Sequence, residues 1–262
     1  MRNLNKFIAM VCESDLEARH LYAEQLANQL SIPKVVSINT EYIYYLVVTE
    51  QQLELRQASG RNKPLYVDFS SPALNYRRKA GGGKKQLLAK AVGIKGSYRP
   101  EILDATAGLG TDGFILACLG CKVHWLERSK VVAALLQDGF MRFLQQHKEA
   151  QLELKLTVTD AISYFNAQPS SETPDVIYLD PMFPERNKAA LGKQAMRILQ
   201  QVAGADEDAP LLLQTALQHA KNRVVVKRPR LAPMIAGRKP DIVFTGKSSR
   251  FDVYTRSFKT NL

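Results

Sequence analysis

The chain has 262 residues, of which 45% are hydrophobic and 23% are charged, values that suit a globular protein with a buried core. The 36 Lys and Arg residues outnumber the 25 Asp and Glu residues, and the formal net charge of +11 favours a polyanionic partner. Three cysteines are too few for a disulfide framework, and no apolar run of about 18 residues predicts a membrane span, so we expect a cytoplasmic protein with no membrane partner.

Residues 1–70 are expected to form a small α/β domain. A strand over residues 6–13 is followed by Ser-Asp-Leu-Glu at 14–17, which has the spacing of a capping box and predicts the start of a helix. Two more strands are predicted around residues 42–49 and 65–69.

Residues 71–100 form a basic segment in which acidic side chains are scarce. A triple glycine at 81–83 allows the backbone to approach a ligand closely, and the flanking cations suit phosphate groups. A tyrosine in the segment can stack on a base, so we favour an RNA-facing segment over a solvated linker between two domains. The residues predicted to contact RNA here are Tyr76, Arg77, Arg78, Lys79, Lys84 and Lys85.

Strands and helices alternate from residue 101 onwards, which predicts a second domain over residues 101–262. This alternation is typical of an α/β fold with a mostly parallel, doubly wound sheet, and a hairpin near the end of the chain adds an antiparallel edge. The predicted strands are 102–105, 122–126, 152–159, 176–179, 223–227, 241–245 and 251–255, and the predicted helices are 111–119, 131–147, a short one after 160, and one capped by Asp206 that ends near 221.

Gly108, Gly110 and Gly113 have the spacing G-x-G-x-x-G, so a nicotinamide-dependent dehydrogenase has to be considered. In dinucleotide folds the strand runs almost into the first glycine, whereas here the strand ends at Asp104 and three residues intervene. A carboxylate in that place would repel a pyrophosphate, but it can bind an ammonium such as that of S-adenosylmethionine. The loop therefore favours a methyl donor over a dinucleotide.

Four carboxylates follow four predicted strands, and they are Asp104, Glu127, Asp160 and Asp180. Because ligands bind at the carboxyl ends of parallel strands, we expect these side chains to line one rim of the sheet. Glu127 stands where either fold places a ribose-binding carboxylate, and Asp160 fits an acceptor for an adenine amino group. Each could instead cap a helix, but four in register favour methyl-donor binding.

The segment Asp-Pro-Met-Phe-Pro at 180–184 follows the apolar run 176–179. A carboxylate can accept the N–H groups of an exocyclic amine, proline fixes the turn, and a phenyl ring can stack on a flat base. Taken alone, the segment could be an ordinary strand exit. With the glycine loop upstream, it predicts a catalytic turn formed by Asp180, Pro181 and Phe183.

These segments resemble the RsmJ-type family of bacterial methyltransferases, which modify the exocyclic N2 of one guanosine in small-subunit (16S) ribosomal RNA. The resemblance implies a class I S-adenosylmethionine-dependent methyltransferase, with a Rossmann-like, doubly wound, seven-stranded sheet next to the small N-terminal domain. It also implies S-adenosylmethionine as the cofactor, small-subunit ribosomal RNA or the 30S particle as the partner, and no metal. It covers roughly residues 65–255 and rests on Phe69, 76–83, 89–96, 104–112, 127–128, 180–184 and 225–229.

Carried over position by position, the resemblance extends the predicted donor contacts beyond the four carboxylates and the glycines. The role of Lys227 and Arg228 stays open, because these cations either contact RNA or simply mark the end of a strand. The predicted donor contacts are Asp104, Gly108, Gly110, Thr111, Asp112, Glu127, Arg128, Asp160, Ala161 and Asp180.

The implied reaction is an in-line displacement in which guanine N2 attacks the sulfonium methyl group, S-adenosylhomocysteine leaves, and water or phosphate takes the proton from nitrogen afterwards. N2 is a poor nucleophile because its lone pair is delocalised into the ring. Alignment of the base favours the reaction, and so do hydrogen bonds to the Asp180 carboxylate and the Pro181 carbonyl. Three alternatives stay open: an N6-adenine or other nucleic-acid methyltransferase, a nicotinamide-dependent dehydrogenase, and a non-catalytic RNA-binding protein of ribosome assembly.

Overall fold

The computed structural model describes residues 7–60, 62–79, 86–167, 173–181, 198, 200–203 and 208–256. The chain divides into two compact units, the first made of residues 1–68, 130–148 and 187–202, and the second of residues 69–129, 149–186 and 203–262. A three-stranded sheet lies in the first unit and a seven-stranded sheet in the second.

Helices and strands follow one another along most of the described chain. The strands are β1 (Ile8–Cys12), β2 (Tyr44–Val48), β3 (Leu53–Gln57), β4 (Ile102–Asp104), β5 (Val123–Glu127), β6 (Leu154–Val158), β7 (Val176–Leu179), β8 (Arg223–Pro229), β9 (Ile242–Thr245) and β10 (Ser249–Thr255). The α-helices whose full bounds fall within the described residues are α1 (Glu17–Leu30), α2 (Pro72–Lys79), α3 (Leu87–Val92), α4 (Thr111–Cys118), α5 (Lys130–Gln146), α6 (Ala161–Ala167) and α7 (Ala209–His219).

The first unit is built on β2, whose five residues are all buried. β1 pairs with it in parallel and β3 in antiparallel orientation, so β2 is the central strand. Helix α5 belongs to this unit and turns Gly139 toward Val67. A Cβ atom at Gly139 would lie 2.5 Å from Val67 Cγ1, so only a glycine lets the helix approach Val67 this closely.

Two predictions for the first unit are wrong in detail. Helix α1 has Leu16 as its N-cap, and the Ser14 hydroxyl accepts a hydrogen bond from the Leu16 N–H group at 3.2 Å. Ser14 therefore belongs to the turn that leads into the helix and does not cap it. In place of the strand predicted at 65–69, Leu65 makes an isolated bridge with Leu55 of β3, a strand that the sequence pattern does not predict.

The second unit has the strand order β6-β5-β4-β7-β8-β10-β9. Neighbouring strands pair in parallel from β6 to β8, whereas β10 is antiparallel to both of its neighbours, β8 and β9. The strand order reverses between β4 and β7, which creates the crevice where ligands bind in such sheets. This sheet confirms the predicted doubly wound α/β fold with an antiparallel edge.

The central strands of this sheet are covered on both faces, as parallel strands usually are. On one face, Ile177 of β7 belongs to an apolar cluster with Leu213 of α7. On the other, Phe69 stacks on Phe114 of α4 and on Trp125 of β5, with ring centroids 4.3 and 5.9 Å apart. Trp125 is fully buried in the strand.

The basic segment 71–100 contains helices α2 and α3, which the sequence pattern does not predict. Its triple glycine lies outside the described residues, as does Asp206, and α7 has Asp208 as its N-cap. No helix in the described parts of the chain is long and apolar enough to cross a membrane.

Candidate active site

The four predicted carboxylates lie at the carboxyl ends of four neighbouring parallel strands. Asp104 is the last residue of β4 and Glu127 is the last residue of β5. Asp180 directly follows β7, and Asp160 comes two residues after the end of β6. Because the sheet order is β6-β5-β4-β7, the four side chains form a row along the rim at which open α/β sheets bind ligands.

The loop between β4 and α4 is shaped by two glycines in the left-handed region. The φ angle is 55° at Gly108 and 73° at Gly110, which is the N-cap of α4. Glu127 fastens this loop, because its two carboxylate oxygens accept the Gly108 N–H group at 2.9 Å and the Ser129 N–H group at 2.7 Å. A carboxylate offers about four acceptor positions, and these two bonds use two of them.

Asp104 is the most enclosed of the four carboxylates, with 2% of its surface exposed. Its Oδ1 accepts the Thr106 N–H group at 3.3 Å. Burial, together with the nearby carboxylates of Asp112 and Asp180, raises the pKa of Asp104 well above its usual value. A cation beside Asp104 would stabilise the ionised form of this carboxylate, so the position is suited to an ammonium group.

Asp112, in the first turn of α4, is the centre of a cluster of charges. Its Oδ1 accepts a hydrogen bond from Arg77 Nη2 at 2.9 Å. Its Oδ2 accepts bonds from Lys227 Nζ at 2.8 Å and from the Tyr178 hydroxyl at 2.9 Å. Lys227 Nζ also donates to Asp180 Oδ2 at 2.7 Å. The cluster thus joins α2, α4, β8 and the end of β7 at the rim.

The charges of this cluster determine the protonation of its members. Burial alone would raise the pKa of Asp112, but Lys227 and Arg77 outweigh burial, and the pKa lies below its usual value. Burial would likewise lower the pKa of Lys227, yet Asp180 and Asp112 raise it above its usual value. Burial and the Asp112 carboxylate raise the pKa of Tyr178, so its hydroxyl keeps its proton and remains a donor.

Asp180 lies at the more exposed side of this cluster, with 40% of its side chain exposed. Its backbone N–H group donates to Thr106 Oγ1 at 2.6 Å, which ties the end of β7 to the loop after β4. Pro181 is buried directly after it. The predicted catalytic turn is therefore described as far as Pro181, and Phe183 lies outside the described residues.

The remaining predicted donor contacts come from the starts of α6 and α4 and from the residue after β5. Asp160 Oδ1 accepts the Ser163 N–H group at 2.9 Å, as a helix cap does, and α6 begins at the buried Ala161. Thr111 is the exposed first residue of α4. Arg128 pairs with the side chain of Asp208, its Nη1 lying 3.3 Å from Asp208 Oδ2.

The predicted RNA contacts have different surroundings. Tyr76, on α2, is 65% exposed. Arg78 lies beside the Cys118 thiol, whose pKa burial raises to about 11 against the opposing effect of Arg78. Arg228 is buried and donates to the Pro233 carbonyl oxygen. Of the others, Arg77 and Lys227 belong to the cluster around Asp112, and the side chains of Lys79, Lys84 and Lys85 lie outside the described part of the chain.

Two groups of the site escape the sequence reasoning. Tyr178 lies in the apolar run that predicts β7. Thr106 lies between Asp104, at the end of its strand, and Gly108, the first glycine of the loop. A buried tyrosine hydroxyl usually has a hydrogen-bond partner, so Tyr178 is the residue that the sequence could have indicated. Among the described residues, no group of three or more His, Cys, Asp or Glu side chains is placed to hold a metal ion.

Comparisons with known proteins identify the family and the fold of the chain. Residues 25–256 match the family described as "Putative SAM-dependent methyltransferase". A relative from Coxiella burnetii named Ribosomal RNA small subunit methyltransferase J is 50% identical over 238 residues, which cover 90% of this chain and 93% of the relative. A relative of the same name from Cellvibrio japonicus is 44% identical over 262 residues, covering 95% of this chain and 97% of the relative. The crystal structure of a SAM-dependent methyltransferase from Neisseria gonorrhoeae is 36% identical, covers 95% of both chains and has a TM-score of 0.72.

Proposed function

The chain belongs to the family of S-adenosylmethionine-dependent methyltransferases, and on this premise we propose that it methylates the exocyclic N2 of one guanosine in small-subunit ribosomal RNA. The class I fold, the cofactor and the methylation of ribosomal RNA follow from the family and from its relatives. What we propose beyond these findings is the acceptor atom, the exocyclic N2 of a guanosine. The observation that supports it is the part-exposed carboxylate of Asp180, whose backbone N–H group bonds the loop after β4, because a carboxylate can accept the N–H groups of an exocyclic amine.

The rim suits the cofactor through the chemistry of its side chains. S-adenosylmethionine, when bound, supplies a methyl group carried on a positively charged sulfur. We assign the donor's ammonium to Asp104, because a buried carboxylate is costly without a cation. Glu127 accepts the ribose hydroxyls and Asp160 accepts the adenine amino group in this assignment. The further proposed contacts are Gly108, Gly110, Thr111, Asp112, Arg128, Ala161 and Asp180.

The protein activates the acceptor base by holding it in place. The Asp180 carboxylate and the Pro181 carbonyl accept the N–H groups of N2, which favours the positive charge that develops on this nitrogen. Phe183 stacks on the base, a contact worth about 1–3 kcal/mol. A net charge of +11 supports an RNA partner, and a ribosomal substrate would place the enzyme in the cytoplasm.

Replacing Asp180 by alanine tests this proposal, because the variant lacks the acceptor for the exocyclic amine. We expect Asp180→Ala to form no N2-methylguanosine in small-subunit ribosomal RNA while its thermal unfolding stays close to that of the wild type. Asp175→Ala is the matched control, since Asp175 precedes the same strand and pairs with Lys221 at 3.5 Å. Full turnover by Asp180→Ala, or an equal loss in Asp175→Ala, would contradict the role of Asp180.

A further inference from the structure

Lys227 stands between two carboxylates of the site. Its Nζ lies 2.7 Å from Asp180 Oδ2 and 2.8 Å from Asp112 Oδ2. We propose that Lys227 is a positioning residue, which holds the Asp180 carboxylate in the orientation and the ionised state that the acceptor amine requires. This inference rests on the proposed function and deepens it.

Strand register brings the two residues together. β7 and β8 are parallel and Leu179 lies opposite Val226, so Asp180 and Lys227 are the next residues on two neighbouring strands. Side chains at paired positions of a sheet point to the same face, so the contact follows from the backbone arrangement. A shift of one residue in the register would point one of the two side chains to the other face.

Asp112 gives the flexible lysine side chain a fixed anchor. A lysine loses rotamer freedom when its ammonium is held, and a single ion pair with a part-exposed carboxylate would hold it weakly. Asp112 is 9% exposed, and its oxygens also accept hydrogen bonds from Arg77 and Tyr178. Because these donors fix Asp112, Asp112 fixes Lys227, and Lys227 in turn fixes Asp180.

The ammonium also offsets the repulsion among the carboxylates of the rim. Among the described residues, the charged and titratable groups around Asp180 include Asp104 on β4, Asp112 on α4, Tyr178 on β7 and Lys227 on β8. Like charges at close range favour protonation of one carboxylate, whereas the neighbouring ammonium favours the ionised form of Asp180. An ionised carboxylate only accepts hydrogen bonds, and this is the state that an N–H donor needs.

An RNA contact is the other role that the sequence predicts for Lys227, and binding measurements separate the two roles. Removing a phosphate contact weakens RNA binding and reduces the slope of its salt dependence by about 0.7–0.9. Removing a positioning residue leaves that slope unchanged and lowers kcat instead. The ammonium already contacts two carboxylates, which favours the positioning role.

The test compares Lys227→Gln and Lys227→Arg with the control Lys221→Gln. Glutamine keeps hydrogen-bond donors while it removes the charge, and arginine keeps both. Lys221 precedes β8 and pairs with Asp175 before β7, so it matches Lys227 at the opposite ends of the same two strands. Carbon-13 NMR of the aspartate carboxyl groups gives the pH at which Asp180 titrates, and methyl transfer to ribosomal RNA gives kcat and KM as functions of pH.

We expect the titration of Asp180 in Lys227→Gln to move up by about one pH unit, and the acid limb of the kcat profile to move with it. At neutral pH, kcat should fall about ten- to a hundredfold because the carboxylate is no longer held in place. Lys227→Arg should recover most of this loss. The salt slope of RNA binding should equal that of the wild type, and Lys221→Gln should change none of these quantities.

Two results would overturn the positioning role. One is an Asp180 titration that does not move in Lys227→Gln, and the other is a normal kcat combined with weaker RNA binding and a smaller salt slope. The titration needs no RNA, so it tests Lys227 whatever the substrate. If the wild-type protein transfers no methyl group to ribosomal RNA, the proposed function fails while the positioning of Asp180 is still decided by the titration.

Discussion

The third glycine of the loop, Gly113, is required by packing and not by its backbone conformation. A Cβ atom added there would lie 2.1 Å from Trp125 Nε1, 2.9 Å from Trp125 Cδ1 and 3.1 Å from Asp104 Oδ2. Trp125 is fully buried and stacks on Phe69, so it has little room to move aside. We therefore expect Gly113→Ala to disturb both the packing of α4 on β5 and the surroundings of Asp104.

Two opposing effects determine the stability of Gly113→Ala. Alanine is the better helix former by about 1 kcal/mol, whereas overpacking a core typically costs about 1–3 kcal/mol. A separation of 2.1 Å places this clash at the upper end of that range, so the free energy of unfolding should fall by about 2 kcal/mol. The corresponding decrease in Tm is about 4–8 °C for a domain of this size.

Chemical denaturation measures this change directly, because Trp125 is the one tryptophan of the chain and reports on the packing in question. Thr111→Ala is the matched control, since it places alanine at an exposed position of the same helix and should alter stability by less than about 0.5 kcal/mol. If Gly113→Ala is as stable as the wild type, helix propensity outweighs the clash and the packing argument is refuted.

Two further substitutions test the charges of the site. Burial raises the pKa of Asp104, so between its unfolded and folded pKa the native state holds the extra proton and the free energy of unfolding falls as the pH rises. Asp104→Asn should therefore raise Tm more at about pH 8 than at about pH 5, and it should weaken S-adenosylmethionine binding in calorimetry; an increase in Tm that is smaller at about pH 8 than at about pH 5 would contradict this. Tyr178→Phe removes one of three donors to Asp112 and should cost about 1–3 kcal/mol in chemical denaturation; a change below about 0.5 kcal/mol would mean that Arg77 and Lys227 suffice.

Apolar runs predict the parallel strands of the second unit well. The strand predicted at 176–179 has the same bounds as β7, because a strand buried on both faces is a continuous apolar run that ends where the chain reaches the rim. A search for continuous apolar runs does not find β3, in which Glu54 and Arg56 alternate with Leu53 and Leu55. The capping box at 14–17 fails because its spacing does not decide at which residue the helix begins.

The row of carboxylates could be predicted because each residue follows its own strand. The family supports the preference for a methyl donor over a dinucleotide at the glycine loop. The cluster around Asp112 could not be predicted, since its members come from separate elements and meet only through tertiary packing. In the sequence, Lys227 is a cation after an apolar run, and only the register of β7 against β8 shows that it reaches Asp180.

Methyl transfer from labelled S-adenosylmethionine to small-subunit particles that lack their native modifications tests the central claim most directly. Nucleoside analysis of the product then identifies the acceptor atom. We predict label in N2-methylguanosine at a single site, in ribosomal RNA. Label in N6-methyladenosine would contradict the proposed acceptor, and no transfer to particles or to free ribosomal RNA by a protein that binds the donor would contradict the proposed substrate.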